Sequence, residues 1–151
     1  MQIIKTAPIS FIYFQEETTV GDLKKFLPVG QELFREATRA NIPVTGPVHW
    51  HYHGFSIDPA QRFVLEVCLP VGKIPAEYDG PFHLKRTDSF PCVCEFHNGS
   101  WYDLPATYKR MMEFVSAAGL SPSDQTRELY VNVDFSDPDA NLTVVQIGIQ
   151  P

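Results

Sequence analysis

Residues 48–71, VHWHYHGFSIDPAQRFVLEVCLPV, and residues 128–149, ELYVNVDFSDPDANLTVVQIGI, decide the fold, because the second stretch repeats the first. Each is a strand-like run that enters a turn through Phe-Ser and Asp-Pro and leaves it in a second apolar run. Phe55 and Phe135 lie 80 residues apart, and Asp58 and Asp137 lie 79 apart. The helical stretches upstream keep the spacing, with Pro28 and Pro105 separated by 77 residues and Asn41 and Gly119 by 78. Such constancy marks one unit used twice with small insertions. Two copies facing each other generate a cleft on their pseudo-twofold axis, and a ligand site is expected there.

Working outward, PISFIYFQE (residues 8–16) is β-branched and aromatic and predicts a first strand. TTVGDLKK follows as a turn or short helical lead-in. Pro28 lacks an N–H and clashes inside a helix, so it marks the start of one running to Ala40, with Asn41 as the exit residue. Val29, Leu33, Phe34, Ala37 and Ala40 form the face this helix is expected to bury. In the second half FPCVCEFH (90–97) reads as a strand and NGS as a turn. Asp103 is positioned to cap a helix with Pro105 in its first turn. Tyr108, Met111, Met112, Val115 and Ala118 make that helix's apolar stripe, and Gly119 ends it. Unit one is expected over about residues 8–71, a connector over 72–87 and unit two over about 88–149, within a single domain of residues 1–151. PFHLKRT in the connector adds a strand or lengthens the first strand of unit two. The expected class is α+β, a tandem pseudo-twofold repeat of strand-helix-strand-strand units. Each helix covers one face of an antiparallel sheet, and the other face is left for the partner unit or a ligand.

The chain of 151 residues, 44% hydrophobic and 20% charged, is long enough for one domain with a sizeable core. Its net charge is −6 and it has no basic run longer than the pair Lys24-Lys25, which argues against direct binding to nucleic acid or anionic membrane. An acidic domain with a cleft suits a neutral or cationic ligand. Cys68, Cys92 and Cys94 are an odd number without zinc or redox spacing, and predict reduced, buried thiols in a cytoplasmic protein. The N-terminus lacks the uninterrupted apolar core of a signal peptide, and no run approaches membrane-spanning length. No nucleophile elbow, phosphate loop, GxGxxG or HExxH is present, and no cofactor is expected.

Strand alternation supplies the candidate site. In ELYVNVDF it puts Leu129, Val131 and Val133 on one face, assigned to the helix, and Glu128, Tyr130 and Asn132 on the other. The repeat gives Val48, Trp50 and Tyr52 the face of Glu128. The cleft then holds one carboxylate among Trp50, Tyr52 and Tyr130, an arrangement that binds a cation or raises the acid's pKa. Alternation alone leaves open that Glu128 is a solvated residue at a strand start. Glu66, set among apolar neighbours in VLEVCLPV, faces either the cleft or the solvent side of its sheet. His49, His51 and His53 share the face opposite Trp50. No Cys or carboxylate is placed to complete a metal site with them, so they read as pH-sensitive surface histidines. His97 is expected to orient the NGS turn.

With these residues assembled, the chain resembles the GyrI-like small-molecule-binding domain, the effector-binding domain also found on AraC-type and MerR-type regulators. FHNGSWYDLPATY (96–108) follows that pattern, with Trp101 where Tyr is more usual, and Glu128-Leu129-Tyr130 matches a Glu-x-Tyr step. Gly46-Pro47-Val48, Tyr52-His53-Gly54 and EVCLPV resemble the corresponding segments of the first half. The resemblance implies a tandem fold with a pocket between the halves. It implies that Glu128 is the principal polar contact for hydrophobic, cationic ligands. It also implies a stand-alone effector domain without a DNA-binding part, sequestering drugs or toxic metabolites or acting through a protein partner such as DNA gyrase or a regulator. Its alternative is a hydrolase of strained, cyclopropane-containing electrophiles, with Glu128 as general acid or base and Trp101 or Tyr130 shaping the pocket. Candidate ligand contacts are therefore Glu128, Tyr130, Trp50 and Tyr52, with Trp101 and Glu66 as further members.

Overall fold

A computed structural model describes residues 1–151. The strands are β1 (Gln2–Thr6), β2 (Ser10–Thr18), β3 (His49–His53), β4 (Phe63–Val71), β5 (His83–Arg86), β6 (Phe90–Asn98), β7 (Pro122–Asn132) and β8 (Leu142–Ile149), and the α-helices are α1 (Val29–Arg39) and α2 (Leu104–Ala117). The fold is α+β, one antiparallel sheet of eight strands in the order β1-β6-β8-β7-β3-β4-β2-β5.

Prolines and left-handed residues set the helix limits. Pro28 stands immediately before α1, after a 3₁₀ stretch over Val20–Phe26, and Pro105 sits in the first turn of α2. Asn41 (φ 55°) and Gly119 (φ 69°) turn the chain out of the two helices, in a conformation that glycine and asparagine adopt most readily. Asp103 does not cap α2 as expected; Ser100 Oγ accepts from the Tyr102 amide and caps the 3₁₀ turn that leads into it. Val29, Leu33 and Ala37 bury the inner face of α1, and Thr107, Met111 and Val115 that of α2. Phe34, Met112 and Ala118, expected in these stripes, are exposed.

Two expectations need correction. The halves do not face each other: β3 and β7 pair edge to edge and join them into one sheet. The connector strand and the N-terminus also exchange places. PFHLKRT forms β5, which pairs with β2, while residues 2–6, outside the first expected unit, form β1 against β6. Each half thus receives its outer strand from beyond its own continuous segment. Non-local pairing of short edge strands leaves little local trace in sequence. The strand order nevertheless reads as a palindrome when β5, β2, β4 and β3 are exchanged with β1, β6, β8 and β7.

Both helices lie on one face. Trp50 and Tyr52 of β3 pack with Leu33 and Ala37 of α1, and Val145 of β8 packs with Met111 of α2. Register places Trp50 beside Glu128 and Glu128 beside Val145, so this front face is continuous across the seam. The back face carries no helix. Its residues cover one another, with Phe11 edge-on to the rings of both His49 and His51 at 5.1 Å. Gly148 admits the ring of Phe90, because a Cβ there would lie 2.8 Å from Phe90 Cε2 and 2.7 Å from the Gln125 carbonyl.

Leu33 is 0% exposed and Phe34, its neighbour on α1, is 37% exposed. Urea denaturation of Leu33→Ala should show a loss of about 2–5 kcal/mol, the usual cost of a large-to-small core change. Phe34→Ala should lose well under half of that.

Candidate functional site

The seam between β3 and β7 builds the site. Five residue pairs, from His49–Leu129 to His53–Gln125, hold the strands in register, and the Tyr130 amide donates to the Val48 carbonyl at 3.0 Å. Alternation then sends Trp50, Tyr52, Glu128 and Tyr130 to the front. Here the sequence reading had the helices on the wrong side. They cover this aromatic face, while Val131 and Val133, assigned to the helix side, are exposed. Trp50 and Tyr52 offer more apolar area to α1 than the valines do, and that area decides which face the helices take.

A cleft of about 770 Å³ opens over the seam in the gap between the helices. Its floor is Val48, Trp50, Tyr52, Glu128 and Tyr130. One wall is Leu23, Leu27, Gly30 and Phe34, from α1 and its lead-in; the other is Trp101, Tyr102 and Leu104 before and at the start of α2. Val133, Asp134 and Phe135, from the turn after β7, form the rim.

The aromatic groups interlock around the carboxylate. The Tyr130 ring lies 5.8 Å from Trp50 and 5.3 Å from Trp101, both edge-to-face, and Phe135 stands 6.0 Å from Trp101. Trp101 Nε1 donates to Thr143 Oγ1 at 3.1 Å, which fixes the indole plane. Glu128 is 4% exposed and accepts from Tyr130 Oη at 3.2 Å. Burial raises its pKa, and the hydroxyls of Tyr52, Tyr130 and Tyr108, with His97 nearby, offset that only in part. The same burial, with the Glu128 charge, pushes the three phenols well up, so they remain neutral donors. The carboxylate is therefore held by neutral hydrogen bonds in an apolar cage.

The cleft brings together Glu128, Tyr130, Trp50, Tyr52 and Trp101, but not Glu66. Glu66 sits on the back face in register with His51 and Gln15, where Lys85 Nζ donates to its Oε2 at 2.9 Å and His53 bonds its Oε1. Burial raises its pKa, but these hydrogen bonds outweigh it and leave the carboxyl below its ordinary value. His49 and His51 are not surface groups: burial, with the nearby charges of Arg127 and Lys85, holds His49 at about 3 and His51 well below its usual range. His51 turns Nε2 to His49 and Nδ1 to Cys68, so its ligand atoms diverge. No cluster of three or more metal-ligating side chains is present. The three cysteines are free and buried, with burial pushing Cys92 up to about 11.

Sequence reading missed Tyr108, which it placed in an apolar stripe. A phenol in such a stripe was the available signal, since its ring packs while its hydroxyl seeks a polar partner. His97 does orient its turn: Nε2–H donates to the Ser100 carbonyl at 2.8 Å, and Nδ1 is hydrogen-bonded to Thr107 Oγ1 at 2.7 Å. This pair holds the segment that carries Trp101. No helix of the chain is long and apolar enough to cross a membrane.

The family described as GyrI-like small molecule binding domain matches residues 1–150. No curated protein matches the sequence. Among solved structures, the C-terminal domain of EcmrR overlays with a TM-score of 0.81 at 16% identity, covering 99% of this chain and 96% of that one. EcmrR in its DNA complex gives 0.81 at 17% identity, and there this chain, 99% covered, spans 56% of the longer one. SAV2435 bound to tetraphenylphosphonium overlays at 0.64 and 10% identity, over 99% of this chain and 93% of that chain. A hydrolase from Listeria innocua overlays at 0.68 and 13% identity, over 99% and 91%. At these identities the likeness is one of fold.

Because the folded pKa of Glu128 is raised, its ionisation costs more in the folded than in the unfolded chain. The Glu128 contribution to stability should therefore fall as pH rises from the ordinary carboxylate value through the raised one, against the rise that the buried His49 and His51 contribute below the usual imidazole range. Urea denaturation of the protein and of Glu128→Gln across that range isolates this part as the difference between the two, with the variant gaining stability relative to the wild type toward neutral pH.

Proposed function

The chain belongs to the GyrI-like small molecule binding domain family, and on that premise we propose that it captures a bulky, hydrophobic cation in the cleft over the β3–β7 seam. One observation carries the reading: Glu128, 4% exposed, makes no ion pair with the chain. The ion pairs present engage Glu16, Glu17, Glu36, Glu66 and Glu95 instead. A buried carboxylate is costly until a counter-charge arrives. A cation entering the cage supplies it, brings the Glu128 pKa down and meets the faces of Trp50, Trp101 and Tyr130. An aliphatic ammonium without apolar bulk would leave most of the wall unfilled, so shape selects lipophilic cations over small ones. The tetraphenylphosphonium held by SAV2435 is of this chemical type.

In this reading occupancy is sensed by a protein partner and not by contact of this chain with DNA, since a net charge of −6 offers phosphate no basic face. A second reading rests on the same carboxyl. A raised pKa in a water-poor aromatic pocket is what a general acid needs, and one structural relative is a hydrolase. Protonated Glu128 would then give its proton to the carbon released as water opens a strained electrophile, and the carboxylate so formed would take the proton that the attacking water loses. Recovery of the ligand intact supports capture; its consumption supports hydrolysis.

Tetraphenylphosphonium should change tryptophan fluorescence on binding, because both indoles line the cleft. Glu128→Gln keeps the shape and should weaken that cation by roughly 1.5–3 kcal/mol, the Coulomb energy of unit charges about 6–10 Å apart at an effective dielectric of about 20, while a neutral ligand of similar shape loses much less. The affinity of the wild type for the permanently charged probe should rise with pH through the Glu128 pKa, and that of Glu128→Gln should stay flat. Equal weakening of charged and neutral ligands would rule out charge as what Glu128 contributes.

A further inference from the structure

The back of the sheet carries a buried polar row that the cleft does not use. Register lines up Gln146, Arg127, His51 and Glu66 across four adjacent strands. All four are buried, and Arg127 is 3% exposed. The Arg127 Nε and Nη1 atoms are enclosed and have no hydrogen-bond partner in the chain. The nearest formal anion in the row is Glu66, whose two oxygens are taken by His53 and Lys85. The other neighbours bring no negative charge: His49 and His51 are neutral, and burial keeps the Cys68 and Cys92 thiols protonated.

A guanidinium in such surroundings is desolvated without compensation, which buried arginines normally avoid by pairing. The Phe90 ring, 3.9 Å from Arg127 Cζ, covers one face of the group. That contact offsets part of the desolvation but supplies no acceptor in the plane where the N–H bonds point. What remains unmet is an acceptor at the edge of the guanidinium. No helix packs on this side of the sheet, so an approach is lined by strand side chains alone.

We propose that Arg127 is the centre of a second binding site, on the helix-free side of the sheet, for a small anion such as a halide or a carboxylate. The anion lies at the guanidinium edge, accepts from Nε–H or Nη1–H, and has Phe90 on one side and the neutral His49–His51 pair on the other. This site is independent of the cation cleft, which opens on the opposite face.

The test uses the intact protein with sodium formate exchanged for sodium isethionate, a much larger anion, at constant ionic strength. Formate should raise the melting temperature of the wild type by a few degrees, the rise growing with the logarithm of formate concentration, as expected for a ligand that binds only the folded state. Arg127→Met, which replaces an unpaired charge by an apolar side chain of similar length, should fold and show no such rise. Arg127→Lys retains charge with fewer donors and should need more formate for the same rise. Crystals of the wild type grown with sodium bromide should show an anomalous peak within hydrogen-bond distance of the Arg127 guanidinium. A rise of equal size in Arg127→Met, no rise in the wild type, or bromide absent from the guanidinium edge would each overturn the proposal.

Discussion

Five antiparallel residue pairs between β3 and β7 hold the molecule together as one sheet. Without them the two helix-covered halves would be separate small layers, each with an exposed edge. The pairing also decides chemistry, because a strand's side chains alternate between faces. One register sends Trp50, Tyr52, Glu128 and Tyr130 to the front and His49, His51 and Arg127 to the back. Front and back are thus a single structural decision. The same seam leaves α1 and α2 apart on the front face, and the gap between them is the cleft.

Charge is handled differently on the two sides. Glu36 is answered by Arg39 one helical turn away, and Glu66 by Lys85 and His53. Glu128 and Arg127 have no such answer within the chain. They are neighbours in sequence, opposite in sign and buried on opposite faces, so neither can neutralise the other by contact. Natural chains bury ions with partners, and these two exceptions make the pair of faces chemically asymmetric. Neutral phenols soften the environment of Glu128, while Arg127 has the ring of Phe90 and little else.

Much of this was legible in the sequence, and the gaps have physical causes. Pro28, Pro105, Asn41 and Gly119 mark the helix limits because backbone sterics act locally. Alternation grouped Trp50, Tyr52, Glu128 and Tyr130, and set the histidines opposite, because parity is a property of the strand itself. Parity does not say which face a helix will cover; that depends on apolar area summed over several strands, and the aromatic side won. The edge strands β1 and β5 are short and pair with residues far along the chain, Tyr13 with His83 and Gln2 with Cys94, so no local pattern announced where they dock. Histidine reads as a polar surface residue, yet a neutral imidazole buries readily, and His49 and His51 did. Glu66 was ambiguous because an apolar neighbourhood is shared by both faces of β4. Tyr108 lies on a helix whose stripe explains it fully as packing, and only the third dimension brings its hydroxyl to Glu128.

The register of β7 breaks between Pro122 and Thr126 and again between Tyr130 and Asn132, and runs regularly only over the residues that face β3 and β8 between them. Those breaks act as insulators for inheritance. A residue gained or lost in the flanking turns is absorbed there, and the loops around the cleft mouth can be rewritten without disturbing the floor. A residue gained or lost between Arg127 and the regular pairing beside it has no such refuge: it exchanges the faces that Arg127 and Glu128 occupy. The sign of the charge each face receives is thus written as odd or even along one strand, and the loops around the cleft can vary in every respect except that count.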